Sequence, residues 1–147
     1  MSRFTGYKNL FPEVNVCIYC GFPAEVKDHI LPYSHRDNPL AVSKVYAPAC
    51  AECNGLLLDS LQHKVKDRIA EAKRRLTKKY KKVLSSPNWT IEELSEMSHE
   101  FQVRIIKTEY DKKIIKERIQ FDFFLWEQIG KPVSLLPGFT DLFRTVR

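Results

Sequence analysis

The sequence predicts an α+β protein in which a strand-rich N-terminal region holds a metal site and precedes a helical C-terminal extension. Three observations predict this fold class. Four cysteines occur as two Cys-x-x-Cys pairs, prolines interrupt the segment between the pairs, and apolar residues after Ser60 recur every three or four positions. Prolines disfavour helix interiors, whereas spacing of three to four residues is typical of an amphipathic helix.

The composition is that of an ordinary globular protein. The chain has 147 residues, of which 44% are hydrophobic and 29% are charged, unlike a disordered or membrane protein. No apolar run approaches the roughly 18–20 residues needed to span a bilayer, and the first residues lack the apolar core of a signal peptide. We therefore expect a soluble, cytoplasmic protein without membrane contact.

The four cysteines are expected to hold zinc. Cys17 and Cys20 form one pair and Cys50 and Cys53 form the other, with residues 21–49 between them. In a secreted chain such pairs would suggest disulfides, and a single pair would also suit a redox site. Two matched pairs without a signal peptide fit a tetrahedral zinc site better, because each two-residue gap lets a turn direct both thiolates at one ion.

The N-terminal region should consist of loops and short strands. Residues 1–15 predict a loosely structured lead-in whose apolar side chains could pack on the core. The alternation of Val14, Val16 and Ile18 predicts a short strand that leads into the first cysteine pair. The prolines further on favour a strand, a loop and a second strand between the two pairs.

Helical patterns begin at Ser60. The first apolar face consists of Leu61, Val65, Ile69, Ala72, Leu76, Tyr80 and Val83. Thr90 stands three residues before Glu93, which matches a capping box and predicts a second helix, with a break near Thr108. Beyond the break the helical spacing continues through Tyr110, Ile114, Arg118, Phe121, Leu125 and Ile129.

The C-terminal aromatic residues are expected to lie in the core or to form a subunit contact. In the second case the chain would form a homodimer through its C-terminal helices. The aromatic residues are Phe121, Phe123, Phe124 and Trp126.

The chain divides into four predicted segments. The lead-in covers residues 1–15, and the core covers residues 16–66, which include the start of the helix predicted after Ser60; the basic residues of this helix are described below. The helical extension covers residues 67–130, and the tail covers residues 131–147.

Residues suited to metal-assisted hydrolysis lie between and after the cysteine pairs. Adjacent Asp28 and His29 would point to opposite faces of a regular strand, so a single site requires a bend or an irregular strand end. If the bend exists, the Asp28 carboxylate and the Asn54 amide form an oxygen site suited to Mg²⁺ or Mn²⁺. The His29 imidazole could then deprotonate a water for attack on phosphorus.

Taken in order, these residues resemble the HNH (ββα-metal) endonuclease family, and most closely the small zinc-knuckle HNH proteins common in bacteriophages. The matching segments, within about residues 16–60, are Cys17-Ile-Tyr-Cys20-Gly, Asp28-His29-Ile30-x-Pro32-x-Ser34 and Ala49-Cys50-Ala-Glu-Cys53-Asn54. The resemblance implies a β-hairpin followed by a helix around one divalent ion. It makes His29 the general base, Asp28 and Asn54 the ligands of a catalytic Mg²⁺ or Mn²⁺, and the four cysteines the ligands of a structural zinc.

Two positions depart from the family pattern. The middle Asn of the family falls near Ser43 or Lys44, so Ser43, or Asn38 from further upstream, would have to brace the loop that carries the base. Leu57 stands where many relatives have a basic residue. Phosphate contacts would then come from Lys44, His63, Lys64 or Arg68.

Basic charge is concentrated in residues 64–82. This segment has ten basic and two acidic residues, a net charge of 10 − 2 = +8 against +6 for the whole chain. A solvated helix face would explain such a run, but a polyanion partner would also use it, because phosphate neutralisation releases counterions. The predicted contacts to nucleic acid are Lys44, His63, Lys64, Arg68, Lys73, Arg74 and Arg75.

Three functions are compatible with the sequence. The first is a metal-dependent DNA endonuclease of weak sequence specificity, because Lys and Arg at helical spacing contact phosphates rather than base edges. The second is a catalytically weak or inactive zinc module that binds nucleic acid or a protein partner. The third is an assembly accessory that docks through its aromatic C-terminal helix. We expect the first, because Asp28, His29 and Asn54 are all retained.

Overall fold

The structure, a computed structural model, describes residues 8–30 and 45–129. Within them the chain is a mixed α+β protein with one small sheet followed by helices, which confirms the predicted fold class at this level. The strands are β1 Lys8–Asn9, β2 Val26–Ile30 and β3 Val45–Ala49. The helices are α1 Ala51–Leu56, α2 Val65–Lys79, α3 Lys81–Leu84, α4 Ile91–Ser95, α5 His99–Gln120 and α6 Phe123–Gln128.

β3 is the central strand of a three-stranded sheet with the order β1-β3-β2. β1 is parallel to β3 and covers only residues 45–46, whereas β2 is antiparallel and pairs along all of β3. Pro48 therefore lies beyond the part of β3 that β1 covers, a position where the missing N–H of proline is tolerated. The strand β1 belongs to the segment predicted as a loose lead-in, so that segment contributes an edge strand to the sheet.

The basic helix, the helix predicted to contain the basic segment 64–82, is shorter than its apolar spacing predicts. The spacing predicts one helix from Ser60 to Val83, whereas the structure has α2 and then the single turn α3. The apolar face is correct where the helix exists, because Ile69, Ala72 and Leu76 are buried. Leu61 precedes α2 and is 48% exposed, so the apolar spacing extends beyond the helix at its N-terminal end.

Two hydroxyl caps divide the next segment into separate helices. The Thr90 Oγ accepts a hydrogen bond from the Glu93 N–H at 3.1 Å, which confirms the predicted start of α4. The Ser98 Oγ caps α5 in the same way through Phe101. The predicted break near Thr108 is wrong, because α5 continues through it for 22 residues. Neither α5 nor any other helix in the described ranges is long and apolar enough to cross a membrane.

One hydrophobic core joins the cysteine region to the C-terminal helices. Phe11, from the predicted lead-in, packs edge-on against Phe123 of α6, with ring centres 4.8 Å apart. The prediction of a core role is confirmed for Phe121, Phe123 and Trp126, which are buried, whereas Phe124 is 43% exposed. The core therefore includes residues on both sides of the predicted boundary at residue 66. The predicted tail, residues 131–147, lies outside the described residues.

Candidate metal centre and the residues around it

The first cysteine pair lies in a tight turn. The Cys17 N–H donates to the Phe22 carbonyl at 2.6 Å, and the Gly21 N–H donates to the Cys17 carbonyl at 2.9 Å. Gly21 has a φ of 81°, which glycine adopts without steric cost. The strand predicted here is reduced to an isolated bridge between Val16 and Pro23. Turn hydrogen bonds, rather than a strand, therefore orient the first two thiols.

Gly21→Ala is expected to destabilise the protein by about 1–2 kcal/mol, because an L-residue is strained in the left-handed region. Gly55 in α1 is the matched control, since an added methyl group there meets nothing within 4 Å. Gly55→Ala should stabilise the protein by about 0.5–1 kcal/mol, the preference of a helix for alanine. Denaturant unfolding of the metal-loaded protein measures both changes, and a Gly21→Ala variant as stable as the wild type would contradict this account of Gly21.

The second cysteine pair lies where β3 passes into α1. Cys50 has an extended backbone and caps the helix, with its Sγ accepting a hydrogen bond from the Cys53 N–H at 3.4 Å. Cys53 lies in the first turn of α1 and is fully buried. The start of the helix thus places the thiols of this pair side by side.

The four sulfurs form one buried cluster between the two turns. Their Sγ atoms lie within 4.8 Å of one another, and those of Cys20 and Cys50 are 3.6 Å apart. All four are free thiols, which excludes the disulfide alternative within this structure. Zinc with Zn–S bonds of about 2.3 Å separates its sulfurs by about 3.8 Å in a tetrahedron. The cluster therefore fits a metal ion such as zinc.

The thiols of this cluster influence one another's protonation. Burial raises the pKa of the Cys17 thiol, and hydrogen bonds with Cys20 and Cys50 raise it further. Conversely, hydrogen bonds with the other cysteines, that with Cys17 first, lower the pKa of Cys50. A metal ion requires thiolates, so its binding would release the remaining protons and would weaken as the pH falls.

Asp28 lies on the inner face of β2 and is held by Arg68 of α2. The Arg68 Nη2 is 2.9 Å from each carboxylate oxygen, and its Nε is 3.2 Å from Oδ2. The Tyr19 hydroxyl donates to the same Oδ2; burial first, and then the Asp28 charge, raise the pKa of Tyr19 and keep it a donor. Both members of the ion pair are buried. A guanidinium therefore engages the carboxylate that the resemblance assigns to a catalytic ion.

His29 faces the side of β2 opposite to Asp28. β2 is regular from Val26 to Ile30, and successive side chains of a regular strand alternate between its faces. His29 is half-buried and lies opposite Tyr46, with ring centres 6.0 Å apart. The bend that a shared site would require is therefore not present in β2.

Asn54 lies within α1, beside Cys53. Its N–H donates to the Cys50 carbonyl at 3.0 Å, as in a regular first turn, and the residue is half-buried. In the described part of the chain, the group of His, Cys, Asp and Glu side chains arranged to hold an ion is the cysteine cluster, which includes neither Asp28 nor His29. The structure thus brings the four predicted zinc ligands together, but not Asp28 and His29.

Comparisons of the chain with protein-family models, curated proteins and solved structures gave no match. The features of this chain that bear on its function are the contacts around the cysteine cluster, Asp28 and the basic helix, together with the spacing of its sequence motifs.

The basic helix is partly neutralised by contacts within the protein. Arg68 is buried against Asp28 and is not available to a partner. Arg75 pairs with Glu71 at 2.7 Å and also with Asp59. Arg74 pairs with Glu71 at 2.6 Å, although its side chain remains 63% exposed. Three of the predicted contacts to nucleic acid, Arg68, Arg74 and Arg75, are therefore already paired with carboxylates of the protein.

Other basic side chains remain on the surface. Lys73 is half-buried, and burial lowers its pKa. His63 and Lys64, just before α2, are exposed, whereas Lys44 lies outside the described residues, as do Ser43 and Asn38. Further exposed lysines on α2 and α3 are Lys66, Lys78, Lys81 and Lys82. An open groove between α1 and α2 is lined on the α2 side by Arg74, Arg75, Lys78 and Lys79.

Sequence reasoning missed two residues beside the cysteine cluster, Arg118, which contacts its sulfurs, and Glu52, which binds Arg118. The Nη2 of Arg118, in α5, is 3.5 Å from the Cys20 sulfur, and its Nη1 is 2.6 Å from the Oε1 of Glu52. Glu52 lies inside the second cysteine pair and also binds Lys79 and Tyr80. The sequence contained a signal for Arg118, since a basic residue at an apolar position of a helix needs a buried anion.

Proposed function

We propose that this chain is a zinc-stabilised module that binds nucleic acid through its phosphates. This is the second of the functions compatible with the sequence. The observation that carries the choice of binding over hydrolysis is the engagement by Arg68 of Asp28, the carboxylate that the resemblance assigns to a catalytic ion.

The structural role of zinc is supported by the position of its four ligands. The cysteines are buried members of the hydrophobic core. One pair closes the turn before β2, and the other connects β3 to α1. A single ion bound to all four sulfurs would therefore fix the ends of the sheet and the start of the first helix. Four thiolates without an open coordination position are typical of structural rather than catalytic zinc.

Nucleic-acid binding is supported by the cations that the fold leaves exposed. Lys64 and Lys66 lie at the N-terminal end of α2, while Lys78 and Lys82 lie at its C-terminal end and in α3, and all are exposed. Lys78 also lines the groove between α1 and α2. Exposed cations spread along a helix suit phosphates, since such contacts position a protein without reading sequence.

Hydrolysis would require two rearrangements that binding does not. Asp28 would have to leave Arg68, and breaking a buried ion pair costs about 3–5 kcal/mol because it leaves an uncompensated charge. His29 would have to turn to the face of β2 that carries Asp28, since a general base acts within hydrogen-bond reach of its proton.

A DNA endonuclease of the HNH type is the second candidate. The order of elements favours it, because the antiparallel pair β2–β3 leads directly into α1, as the resemblance implies. In this candidate, Asp28 and Asn54 bind Mg²⁺ or Mn²⁺ and His29 is the base. The resemblance and the contacts of Asp28 thus favour different functions, and the two are separated by experiment.

The zinc-loaded chain is expected to bind duplex DNA with a Kd of about 10⁻⁴–10⁻⁶ M at physiological salt, the usual range for contacts to phosphate alone. Changing Lys64, Lys78 and Lys82 together to Gln should reduce the slope of log K against log salt by about 0.9 for each lost contact. Lys107→Gln, at an exposed position of α5, is the matched control. Fluorescence anisotropy with a labelled duplex measures both; a triple variant that binds like wild type would contradict the proposed surface.

Incubation with supercoiled plasmid and Mg²⁺ or Mn²⁺ decides between the two candidates. The proposed function predicts no nicking in either metal. Nicking by the wild type that is lost in His29→Ala would overturn it and establish the endonuclease. Nicking that persists in His29→Ala would exclude His29 as the catalytic base and would point to a contaminating nuclease.

A further inference from the structure

Arg118 connects the C-terminal helix to the cysteine cluster. It lies near the end of α5, is 4% exposed and reaches three of the four sulfurs. Its Nη2 is 3.5 Å from the Sγ of Cys20 and 3.9 and 4.0 Å from those of Cys50 and Cys53. Because the side chain is buried between α5 and the sulfurs, it is not a contact to nucleic acid.

Contacts on both sides fix the guanidinium. Its Nη1 is 2.6 Å from Glu52 Oε1, and its Cζ lies 4.2 Å from the centre of the Phe22 ring. Glu52 is itself held by Lys79 and Tyr80 from the end of α2. The planar fork of arginine can donate to sulfur and carboxylate at once, which the single ammonium of lysine does not reproduce.

The charge of a filled cluster makes this contact important. Four thiolates and one divalent ion sum to −4 + 2 = −2, and a buried net charge is costly unless it is paired. Arg118 supplies one positive charge directly at the sulfurs. Hydrogen bonds from outer residues also hold metal ligands in position and tune their affinity for the metal.

We propose that Arg118 is a positioning residue that docks α5 onto the filled cysteine cluster, so that metal occupancy and docking of the C-terminal helices stabilise each other. The inference rests on the zinc of the proposed function. It gives the predicted extension, residues 67–130, a specific role, because Arg118 from this part of the chain completes the surroundings of the metal site.

The test compares zinc affinity and helix protection in the full chain. Arg118→Gln removes the charge and shortens the side chain while leaving a polar amide that can still donate a hydrogen bond. It is expected to weaken zinc binding by about 10–100-fold, as for other outer-shell partners of metal ligands. Arg104→Gln, at an exposed position of the same helix, is the matched control and should bind zinc like wild type. Competition with a chromophoric chelator measures affinity, and hydrogen exchange measures the protection of residues 111–128.

Reciprocity provides a second readout. Removing zinc from the wild type should increase exchange in residues 111–128, and Arg118→Gln should show this increase even with zinc bound. Should Arg118→Gln not fold, Glu52→Gln removes the carboxylate that orients the guanidinium and is expected to weaken zinc binding by a smaller factor. Zinc affinity within twofold of wild type in both variants would overturn the inference alone. A wild-type chain that binds no zinc would overturn the proposed metal and the inference together.

Discussion

Removal of zinc from the loaded protein is expected to lower its melting temperature by about 15–25 °C. A structural zinc contributes about 10–16 kcal/mol in small zinc-finger peptides that have no other core. In this chain the core extends from the cysteines to buried apolar residues of α2 and α6, so we expect a smaller loss of about 5 kcal/mol. Each kcal/mol shifts the melting temperature by about 3–5 °C at this size.

The loss should begin in the sheet region. Ile18 and Tyr19 lie between the first two ligands and are completely buried, so opening that turn exposes core residues as well as thiols. β3 and α1 meet at Cys50, and the pairing of β2 with β3 ends beside it. Circular dichroism in the near ultraviolet, which reports on Tyr19 and the buried aromatic residues, should change before the helical signal does.

Restoration of the metal provides the control for this experiment. Zinc added back after chelation should restore the melting temperature, whereas Mg²⁺ should not, because thiolates select soft metals and Mg²⁺ prefers oxygen ligands. A thiol-modifying reagent should prevent the recovery. A metal-free protein that melts at the same temperature as the loaded one would contradict a structural role for the cysteine cluster.

The geometry of each cysteine pair and the helix faces could be predicted from the sequence because local rules determine them. The two-residue gap in each pair permits a turn, and the structure places one pair in such a turn and the other at a helix start. The cap at Thr90 and the buried face of α2 depend on spacings of three or four residues, which are likewise local. The length of α2 was not predicted, because apolar spacing continues through Leu61, where the helix has not begun.

The surroundings of Asp28 could not be predicted, because they depend on contacts between distant segments. Asp28 and Arg68 are separated by 40 positions, and nothing local marks them as partners. The same holds for Arg118 and Cys20, which are separated by 98 positions. A motif reports which side chains are available, whereas the tertiary packing decides whether a carboxylate faces a metal, a guanidinium or solvent.

The Asp28–Arg68 pair predicts a second large change in stability. Asp28→Leu and Arg68→Met are each expected to destabilise the zinc-loaded protein by about 3–5 kcal/mol, because each leaves one buried charge without its partner. The double variant Asp28→Leu with Arg68→Met should recover much of this loss, since apolar residues of similar volume often replace a buried ion pair at little cost. Urea unfolding of the wild type, the singles and the double variant gives the coupling free energy.

Arg74→Met is the matched control for this cycle, because Arg74 lies on the same helix and pairs with Glu71 while remaining 63% exposed. An exposed pair contributes about 0–1 kcal/mol, so this variant should barely change the free energy of unfolding. Additive effects in the double variant would contradict the buried pair. If Asp28→Leu kept full stability and abolished a nicking activity of the wild type, the carboxylate would instead be a metal ligand, and the endonuclease would replace the binding module as the function of this chain.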